Sequence, residues 1–140
     1  MISTEHQAAI HARVKKIPIF ETLLMEVVGF DEGYCEVKVP RRKIYDGVFE
    51  SFHGGILMTI ADSVACFAIL TQTSVEQIMT TTDMNIRFLA PCLSDVVAKA
   101  RVIKLGRTMC PVAVDLFDAG GKHIAVAQVN YMLLDKMPNR

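Results

Sequence analysis

Hydrophobic and polar positions change their spacing several times along the chain. Residues 3–15 have a polar, weakly amphipathic pattern that predicts a helix, and Pro18 restarts the chain into a short apolar turn of helix. A strand is predicted over residues 25–29, and a turn then leads into the alternating residues 34–39, which predict a second strand. The beginning of the chain therefore predicts a peripheral segment, residues 1–18, followed by a β-hairpin.

The longest apolar stretch follows a charged loop over residues 40–52. From Gly55 to about Thr73 there is no proline and there are few polar residues, which predicts a helix enclosed on most sides. Four strand-like runs separated by turn signals fill the rest of the chain: 80–89, 96–105, 108–118 and 123–134. This order predicts an α+β fold in which an antiparallel sheet wraps around a long central helix.

Composition and charge narrow the function classes. A chain of 140 residues with 51% hydrophobic residues can bury one core, so residues 1–140 are expected to form a single domain. The 15 basic residues balance the 15 acidic ones, which argues against a general nucleic-acid binder or a polybasic membrane-surface protein. The apolar stretch is shorter than the roughly 20 residues of a membrane span and carries Asp62 in its middle.

The cysteines and the N-terminus bear on the cellular compartment. The four cysteines show no CxxC spacing and stand among apolar neighbours, so buried reduced thiols are favoured over disulfides or metal ligands: Cys35, Cys66, Cys92 and Cys110. The first residues lack the continuous apolar core of a secretory signal. A cytoplasmic protein without a bound metal is therefore expected.

Four segments together resemble a known family. They are HGGILMTIADSVACFAIL, TTTDMNIRFLAPC, KLGRT and HIAVAQVNYMLL, and they are similar to the hot-dog-fold acyl-CoA thioesterases of the phenylacetate-pathway (PaaI) type. The specific combination is HGG with an acid nine positions after the histidine, followed by N-x-x-F-x-x-P. The resemblance covers residues 20–134. It implies hydrolysis of an acyl-CoA without a cofactor, in homodimers with a continuous sheet that often pair again into tetramers.

Asp62 is the first candidate for chemistry. A carboxylate in an apolar helix loses hydration, so it needs a partner charge, hydrogen bonds or a function. The residues alone favour catalysis and a structural hydrogen bond equally. The resemblance implies that Asp62 acts on the thioester carbonyl, either as a nucleophile or as a general base that activates water.

The motif His53-Gly54-Gly55 precedes this helix. Unpaired backbone N–H groups at a helix start suit a developing oxyanion, although the residues alone favour glycines that only permit a tight turn before the helix. The resemblance favours Gly54 as the oxyanion donor, with Gly55 beside it. His53 lies about 13 Å of helix rise from Asp62, so it is expected to orient the loop through a hydrogen bond rather than to form a dyad; substrate contact or proton transfer remains open.

The resemblance also places a polar residue that assists the attacking water at Thr81. Strict alternation disagrees, because it puts Thr80 and Thr82 on the helix-facing side with Met84, and Thr81 on the other side unless a bulge intervenes. The competing interpretation is a β-favouring threonine without a special role.

The motif departs from the family at two positions. Where relatives carry an asparagine that helps place the thioester or water, this chain has Gly47, and where they carry a glycine it has Glu50. Asp46 or Glu50 could substitute, or could be solvated loop charges. These departures motivate an alternative function, a hot-dog protein that binds acyl-CoA without turnover. A hot-dog hydratase or dehydratase is disfavoured, because this sequence lacks the His-containing loop motifs of those relatives.

Candidate substrate-binding residues lie in two regions. The KLGRT turn resembles the place where relatives contact the CoA nucleotide, which nominates Lys104, Gly106 and Arg107; a solvent-facing basic turn is the alternative. The acyl pocket is predicted from proximity to the motif to include Phe52, Leu57 and Ile60, with Gly47 near the thioester.

Overall fold

The computed structural model describes residues 1–137, and every predicted helix and strand is present. The helices are α1 (Thr4–Val14), α2 (Pro18–Thr22) and α3 (Gly54–Leu70), with a 3-10 turn at Lys43–Tyr45. The strands are β1 (Glu26–Asp31), β2 (Tyr34–Val39), β3 (Ile78–Phe88), β4 (Val96–Val102), β5 (Met109–Asp118) and β6 (His123–Leu134). Strand β1 ends two residues later than predicted, β3 begins two residues earlier, and β4 ends at Val102 rather than at residue 105.

The six strands form one antiparallel sheet. Their order is β1-β2-β4-β5-β6-β3, so β3 crosses over to the far edge after the helix. Helix α3 packs against β2, β3, β4, β5 and β6, and its apolar side chains fill the core. The predicted α+β arrangement of a sheet around a long central helix is therefore confirmed.

The end of α3 is fixed by Thr71. The Thr71 hydroxyl donates to the Ala68 carbonyl over 2.6 Å and accepts from the Gly33 backbone N–H over 2.7 Å. These bonds satisfy groups that the helix end would leave unpaired, and they tie the end to the β1–β2 turn. The helix therefore stops before Thr73, where the apolar pattern had placed its end.

The N-terminal segment is more deeply packed than predicted. Ile10 and Val14 of α1 are fully buried and belong to the main core. A ring nitrogen of His6 lies 2.8 Å from the Leu70 carbonyl oxygen, and the Arg13 guanidinium donates to the Val75 carbonyl, so α1 is held to the end of α3. The description of residues 1–18 as peripheral is therefore wrong for the inner face of α1, because burial of its apolar residues makes it part of the core.

Two further features of the fold are the length of its helices and the state of its cysteines. None of the helices within residues 1–137 is both long and apolar enough to cross a membrane. All four cysteines are free thiols, three of them buried and Cys66 partly exposed.

Candidate active site

The Asp62 carboxylate is held by two hydroxyl groups from the sheet. Its Oδ1 accepts from Thr81 Oγ1 over 2.7 Å and from the Tyr131 hydroxyl over 2.9 Å. The Tyr131 hydroxyl also lies 2.8 Å from the Asp62 backbone carbonyl oxygen. Asp62 Oδ2 has no hydrogen-bond partner among residues 1–137. The carboxylate is thus fixed through one oxygen, and the other remains available.

A β-bulge turns Thr81 toward the helix. Thr81 pairs with Tyr131 and Asp83 pairs with Asn130, so Thr82 is the extra residue in β3. An extra residue reverses the alternation, so Thr81 and Met84 share the face that strict alternation assigns to Thr80, Thr82 and Met84. The expectation from alternation was wrong for this reason, and the Thr81 hydroxyl meets Asp62.

Tyr131 is a site residue that the sequence did not indicate. It lies on β6, 69 residues after Asp62, and is 5% exposed. Burial raises the pKa of the Tyr131 phenol above its ordinary value, and the Asp62 carboxylate beside it adds to the rise. Tyr131 therefore stays protonated at neutral pH and acts as a hydrogen-bond donor. Its only sequence signal was an aromatic residue with a polar tip on the helix-facing side of a predicted strand.

The histidine and glycines of the motif form the start of α3. His53 is the N-cap residue, and its Nδ1 accepts from the Gly55 backbone N–H over 2.9 Å. The expected orienting hydrogen bond of His53 is thus present, and it occupies the Gly55 N–H. The Gly54 N–H has no acceptor among the described residues. Of the two candidate oxyanion donors, Gly54 is therefore the one with a free N–H.

Helix α3 and strand β3 run alongside each other in opposite directions. A Cβ added to Gly54 would lie 3.1 Å from the Phe88 ring, Asp62 contacts Thr81, and Cys66 Sγ lies 3.7 Å from Met79 Sδ. Eight residues of helix separate Gly54 from Asp62, which corresponds to a rise of about 12 Å. One chain therefore carries the carboxylate and the free N–H in two separate places.

An open cavity of about 700 Å³ adjoins Gly54. Phe52 and Leu57, both predicted to contact substrate, line it together with Gly54 and Phe88. Ile60 does not line this cavity and is fully buried in the core. The prediction of Ile60 as a pocket residue is therefore wrong, because its side chain points into the packed interior.

Gly47 and Glu50, the two positions that depart from the family motif, both lie in the loop before α3. A Cβ added to Gly47 would lie 3.5 Å from Cδ2 of His53, so a side chain at this position would contact the motif histidine. Glu50 has φ of 58°, in the left-handed region that favours glycine, which gives a physical reason for the glycine in relatives. Asp46 pairs with Arg41 over 2.7 Å, so its carboxylate is engaged within the loop.

The basic turn lies outside the Asp62 cluster. Lys104 and Arg107 are exposed in the β4–β5 connection, and the described residues offer neither an ion-pair partner. A Cβ on Gly106 would lie 2.6 Å from the Met109 carbonyl oxygen, so this turn requires glycine for its own geometry. Within residues 1–137 no group of three or more His, Cys, Asp or Glu side chains is arranged to hold a metal ion.

Comparison with known proteins identifies the family. Residues 49–125, which contain the motif histidine, Asp62 and Thr81, match the sequence model of the Thioesterase superfamily. The chain belongs to the Thioesterase superfamily. Human acyl-coenzyme A thioesterase 13 is 34% identical over 95 residues, which are 65% of this chain and 65% of that protein. The mouse protein of the same name is 29% identical over 118 residues, 79% of this chain and 81% of that protein.

Solved structures of thioesterase family members share the fold. The E. coli PaaI protein from the phenylacetic acid degradation operon superimposes with a TM-score of 0.88 over 98% of this chain and 99% of its own, at 19% identity. A thioesterase family protein from Silicibacter pomeroyi gives a TM-score of 0.84 over 90% of this chain and 96% of its own, at 22% identity. The chain thus has the hot-dog fold that the resemblance implied.

Proposed function

We propose that this protein hydrolyses acyl-CoA thioesters to a free acid and CoA. The observation that carries the proposal is the Asp62 carboxylate, whose Oδ1 is held by Thr81 and Tyr131 while Oδ2 is unpaired among the described residues. Family membership and the acyl-CoA thioesterases that match this chain support the same reaction.

The proposed mechanism uses Asp62 as a general base. Oδ2 takes a proton from water, and the water oxygen forms a bond to the thioester carbonyl carbon. The Gly54 N–H stabilises the resulting oxyanion, aided by the partial positive charge at the start of α3. The intermediate collapses with cleavage of the C–S bond, and the proton held by Asp62 passes to the departing CoA sulfur. Direct attack by Asp62 is the alternative, with an anhydride that water then cleaves.

Two copies of the chain would complete the site. Strand β3 is an 11-residue edge strand with Phe88 52% and Leu89 54% exposed at its end, and such an edge favours pairing with another strand. A two-fold axis near the middle of β3 would bring Thr81 of one copy opposite Phe88 of the other. Because Asp62 lies beside Thr81 and Gly54 beside Phe88, this dimer would join each carboxylate to its partner's free N–H.

The first experiment measures thiol release from short, medium, long and aromatic acyl-CoAs. The wild type is compared with Asp62→Asn and with the matched control Asp31→Asn, whose exposed carboxylate lies on β1 at the opposite edge of the sheet and, among the described residues, accepts only from the Glu32 backbone N–H. We expect Asp62→Asn to lose at least a hundredfold in kcat and the control to keep its activity. Equal activity of wild type and Asp62→Asn would exclude the proposed role of Asp62.

A mixing experiment tests the shared site. Gly54→Pro removes the N–H at the first helical position, where proline is tolerated, and adds a Cβ that would lie 3.1 Å from the Phe88 ring. Gly54→Ala adds the same Cβ and keeps the N–H, so the difference between the two variants reports on the N–H. If the site spans two subunits, refolding Asp62→Asn together with Gly54→Pro should restore about a quarter of wild-type activity, because half the dimers are mixed and each has one intact site. Inactive mixtures, with both variants folded and dimeric, would place the site within one chain.

A second candidate function is acyl-CoA binding without turnover. It is favoured by Gly47, which leaves an open position beside His53 where relatives carry an asparagine. Binding of acyl-CoA with the thioester intact over the whole panel would support this function. In that case Gly47→Asn, which adds an amide next to His53, is the variant expected to gain hydrolysis.

A further inference from the structure

Arg41 connects two segments that line the cavity beside Gly54. It lies just after β2, and its Nη2 donates to the Glu50 carbonyl oxygen over 2.8 Å while its Nη1 donates to the Leu93 carbonyl oxygen over 2.9 Å. Nη2 also donates to Asp46 Oδ2 over 2.7 Å, and Nε donates to Asp46 Oδ1 over 3.3 Å. One guanidinium group thus joins the loop before α3 to the connection between β3 and β4.

The loop before α3 folds into a tight hairpin, residues 46–52, whose two end residues pair as an antiparallel bridge. The Gly47 N–H donates to the Ser51 carbonyl oxygen over 2.9 Å, and the Glu50 N–H donates to the Gly47 carbonyl oxygen over 3.1 Å. A three-residue hairpin loop of this kind ends at a residue in the left-handed region, which is usually glycine. In this chain Glu50 occupies that position, with φ of 58°.

Glu50 makes the closed hairpin depend on contacts from outside it. A residue with a Cβ disfavours the left-handed conformation, so this hairpin opens more readily than one with glycine at the same position. Among residues 1–137, Arg41 is the only residue outside the hairpin whose side chain hydrogen-bonds to it. These bonds are charge-assisted, and the Asp46 side chain that Arg41 meets is only 11% exposed. Arg41 therefore offsets the strain at Glu50.

Both segments that Arg41 joins line the cavity of about 700 Å³. The lining residues from these two segments include Phe49, Ser51, Phe52, Cys92 and Leu93. The Phe52 N–H donates to the Cys92 carbonyl oxygen over 2.9 Å at the base of the hairpin, and Arg41 joins the segments again near Glu50. The shape of the cavity beside Gly54 therefore depends on Arg41.

We propose that Arg41 is a positioning residue that holds the hairpin closed against the β3–β4 connection and keeps the cavity beside Gly54 in the shape that binds acyl-CoA. Arg41 does not itself line the cavity, so it acts through the hairpin. If fewer molecules have the closed hairpin, the apparent affinity for substrate falls by that fraction, while the bound complex still reacts. The inference rests on the proposed thioesterase function and adds a residue outside the motif on which substrate affinity depends.

The test separates the geometry of the guanidinium from its charge. Arg41→Gln removes the charge, and Arg41→Lys keeps a charge but loses the planar fork of donors. The matched control is Lys43→Gln, which removes a charge from an exposed side chain of the same loop that has no ion-pair partner among the described residues. Each variant is assayed for kcat and KM by thiol release from the acyl-CoA that the wild type hydrolyses best. Hydrogen exchange of the amides in residues 46–53 is followed by mass spectrometry.

We expect both Arg41 variants to raise KM about tenfold and to change kcat by less than about threefold, because losing hydrogen bonds to a charged group leaves the hairpin open in most molecules. The amides of the hairpin should exchange at least about tenfold faster for the same reason. Lys43→Gln should match the wild type in both measurements.

A second substitution tests whether the effect passes through the hairpin. In the Arg41→Gln background, Glu50→Gly places glycine in the left-handed conformation, so the hairpin can close without Arg41 and KM should return toward the wild-type value. Leu24→Gly in the same background is the matched control. Leu24 has φ of 53° just before β1 and does not line the cavity, so this substitution relieves the same kind of strain and should leave KM high.

Wild-type KM and exchange rates in Arg41→Gln would overturn the proposal, and so would wild-type behaviour of Arg41→Lys. A lower kcat with an unchanged KM would also overturn it, because that is the result of a smaller folded fraction. The same holds if Glu50→Gly fails to lower KM, or if Leu24→Gly lowers it equally. Absence of wild-type hydrolysis on every acyl-CoA would instead refute the proposed function, and the exchange rates, which need no turnover, would still decide whether Arg41 holds the hairpin.

Discussion

Tyr131 is placed to serve both protonation states of Asp62. When the carboxylate is ionised, the phenol can donate to Oδ1, 2.9 Å away. When Oδ2 has taken a proton, Oδ1 is still an acceptor, so the phenol can keep donating to Oδ1 or turn its hydrogen to the Asp62 backbone oxygen at 2.8 Å. In the proposed mechanism Tyr131 is thus a positioning residue that keeps the carboxyl group in one orientation through a proton transfer.

This role predicts a specific effect of Tyr131→Phe. The substitution keeps the ring and removes one hydrogen bond to a charged group, worth about 1.5–3 kcal/mol, so we expect kcat to fall roughly tenfold to a hundredfold. A positioning role lowers kcat and leaves KM little changed. The measurement is therefore kcat and KM for thiol release, with the thermal unfolding of each variant recorded beside them.

Tyr34→Phe is the matched control for this prediction. The Tyr34 hydroxyl donates to Glu36 on β2, away from the Asp62 cluster, so its loss should leave kcat unchanged. A Tyr131→Phe enzyme with reduced thermal stability but an unchanged kcat would show that the residue only supports the fold.

The residues of the site differ in how far the sequence could reveal them. Asp62 could be found because a charge within an apolar helix is exceptional, and His53 and the glycines because they form a motif. Tyr131 could not, because its partner is 69 residues away and only the pairing of β3 with β6 brings them together. Side-chain contacts across a sheet depend on register, which composition and periodicity do not specify.

At the scale of elements, one inserted residue decides the geometry of the site. Residues 80–82 are three threonines, so the alternation of apolar and polar residues does not show where the side chains of β3 change faces. The pairing with β6 reveals it, because Thr81 and Asp83 oppose consecutive residues. Bulges commonly re-aim side chains next to functional sites, and here the bulge brings the Thr81 hydroxyl to Asp62.

Helix α1 provides a second prediction. Its two inward residues are fully buried although the helix as a whole is polar, so its attachment depends on few side chains. Truncating Ile10 to alanine should lower the free energy of unfolding by about 2–5 kcal/mol, from lost burial and the cavity left behind. The control Ile44→Ala changes a side chain that is 71% exposed and should cost little.

Denaturant unfolding followed by circular dichroism measures both variants. Equal midpoints for Ile10→Ala and Ile44→Ala would mean that α1 does not share the cooperative core. Loss of α1 packing alone, seen as early proteolysis at residues 1–18 with the rest intact, would place the helix in a separate unfolding unit.

For the whole molecule, the sequence predicted the packing of the sheet on the central helix better than it predicted the arrangement of the site residues. The order of strands and apolar helix was enough for an antiparallel sheet on a central helix, because each element must bury one face. The separation of Gly54 from Asp62 by about 12 Å follows from helix rise alone. A single sequence does not show how a second chain is placed. In the proposed mechanism, that second chain brings the Asp62 carboxylate and the Gly54 N–H together.

The thiols of buried Cys35 and partly buried Cys66 make the stability of the fold depend on pH in the alkaline range. Burial raises the pKa of Cys35 strongly and that of Cys66 to about 12, from an ordinary value of 9.0. Below about pH 9 both thiols are protonated in the folded and the unfolded chain, so they do not change the free energy of unfolding. Above it, the unfolded chain releases protons that the folded chain retains, and the free energy of unfolding must fall as pH rises.

Each such thiol contributes at most about 1.4 kcal/mol per pH unit between the unfolded and folded pKa values. Urea unfolding from pH 8 to pH 11 should therefore show decreasing stability, with a shallower decrease in Cys66→Ala than in the wild type. The variant removes one titrating group, so the comparison isolates Cys66 from the lysines and tyrosines that also titrate in this range. Identical slopes for the two proteins would mean that the Cys66 thiol ionises as readily in the folded chain as in the unfolded one.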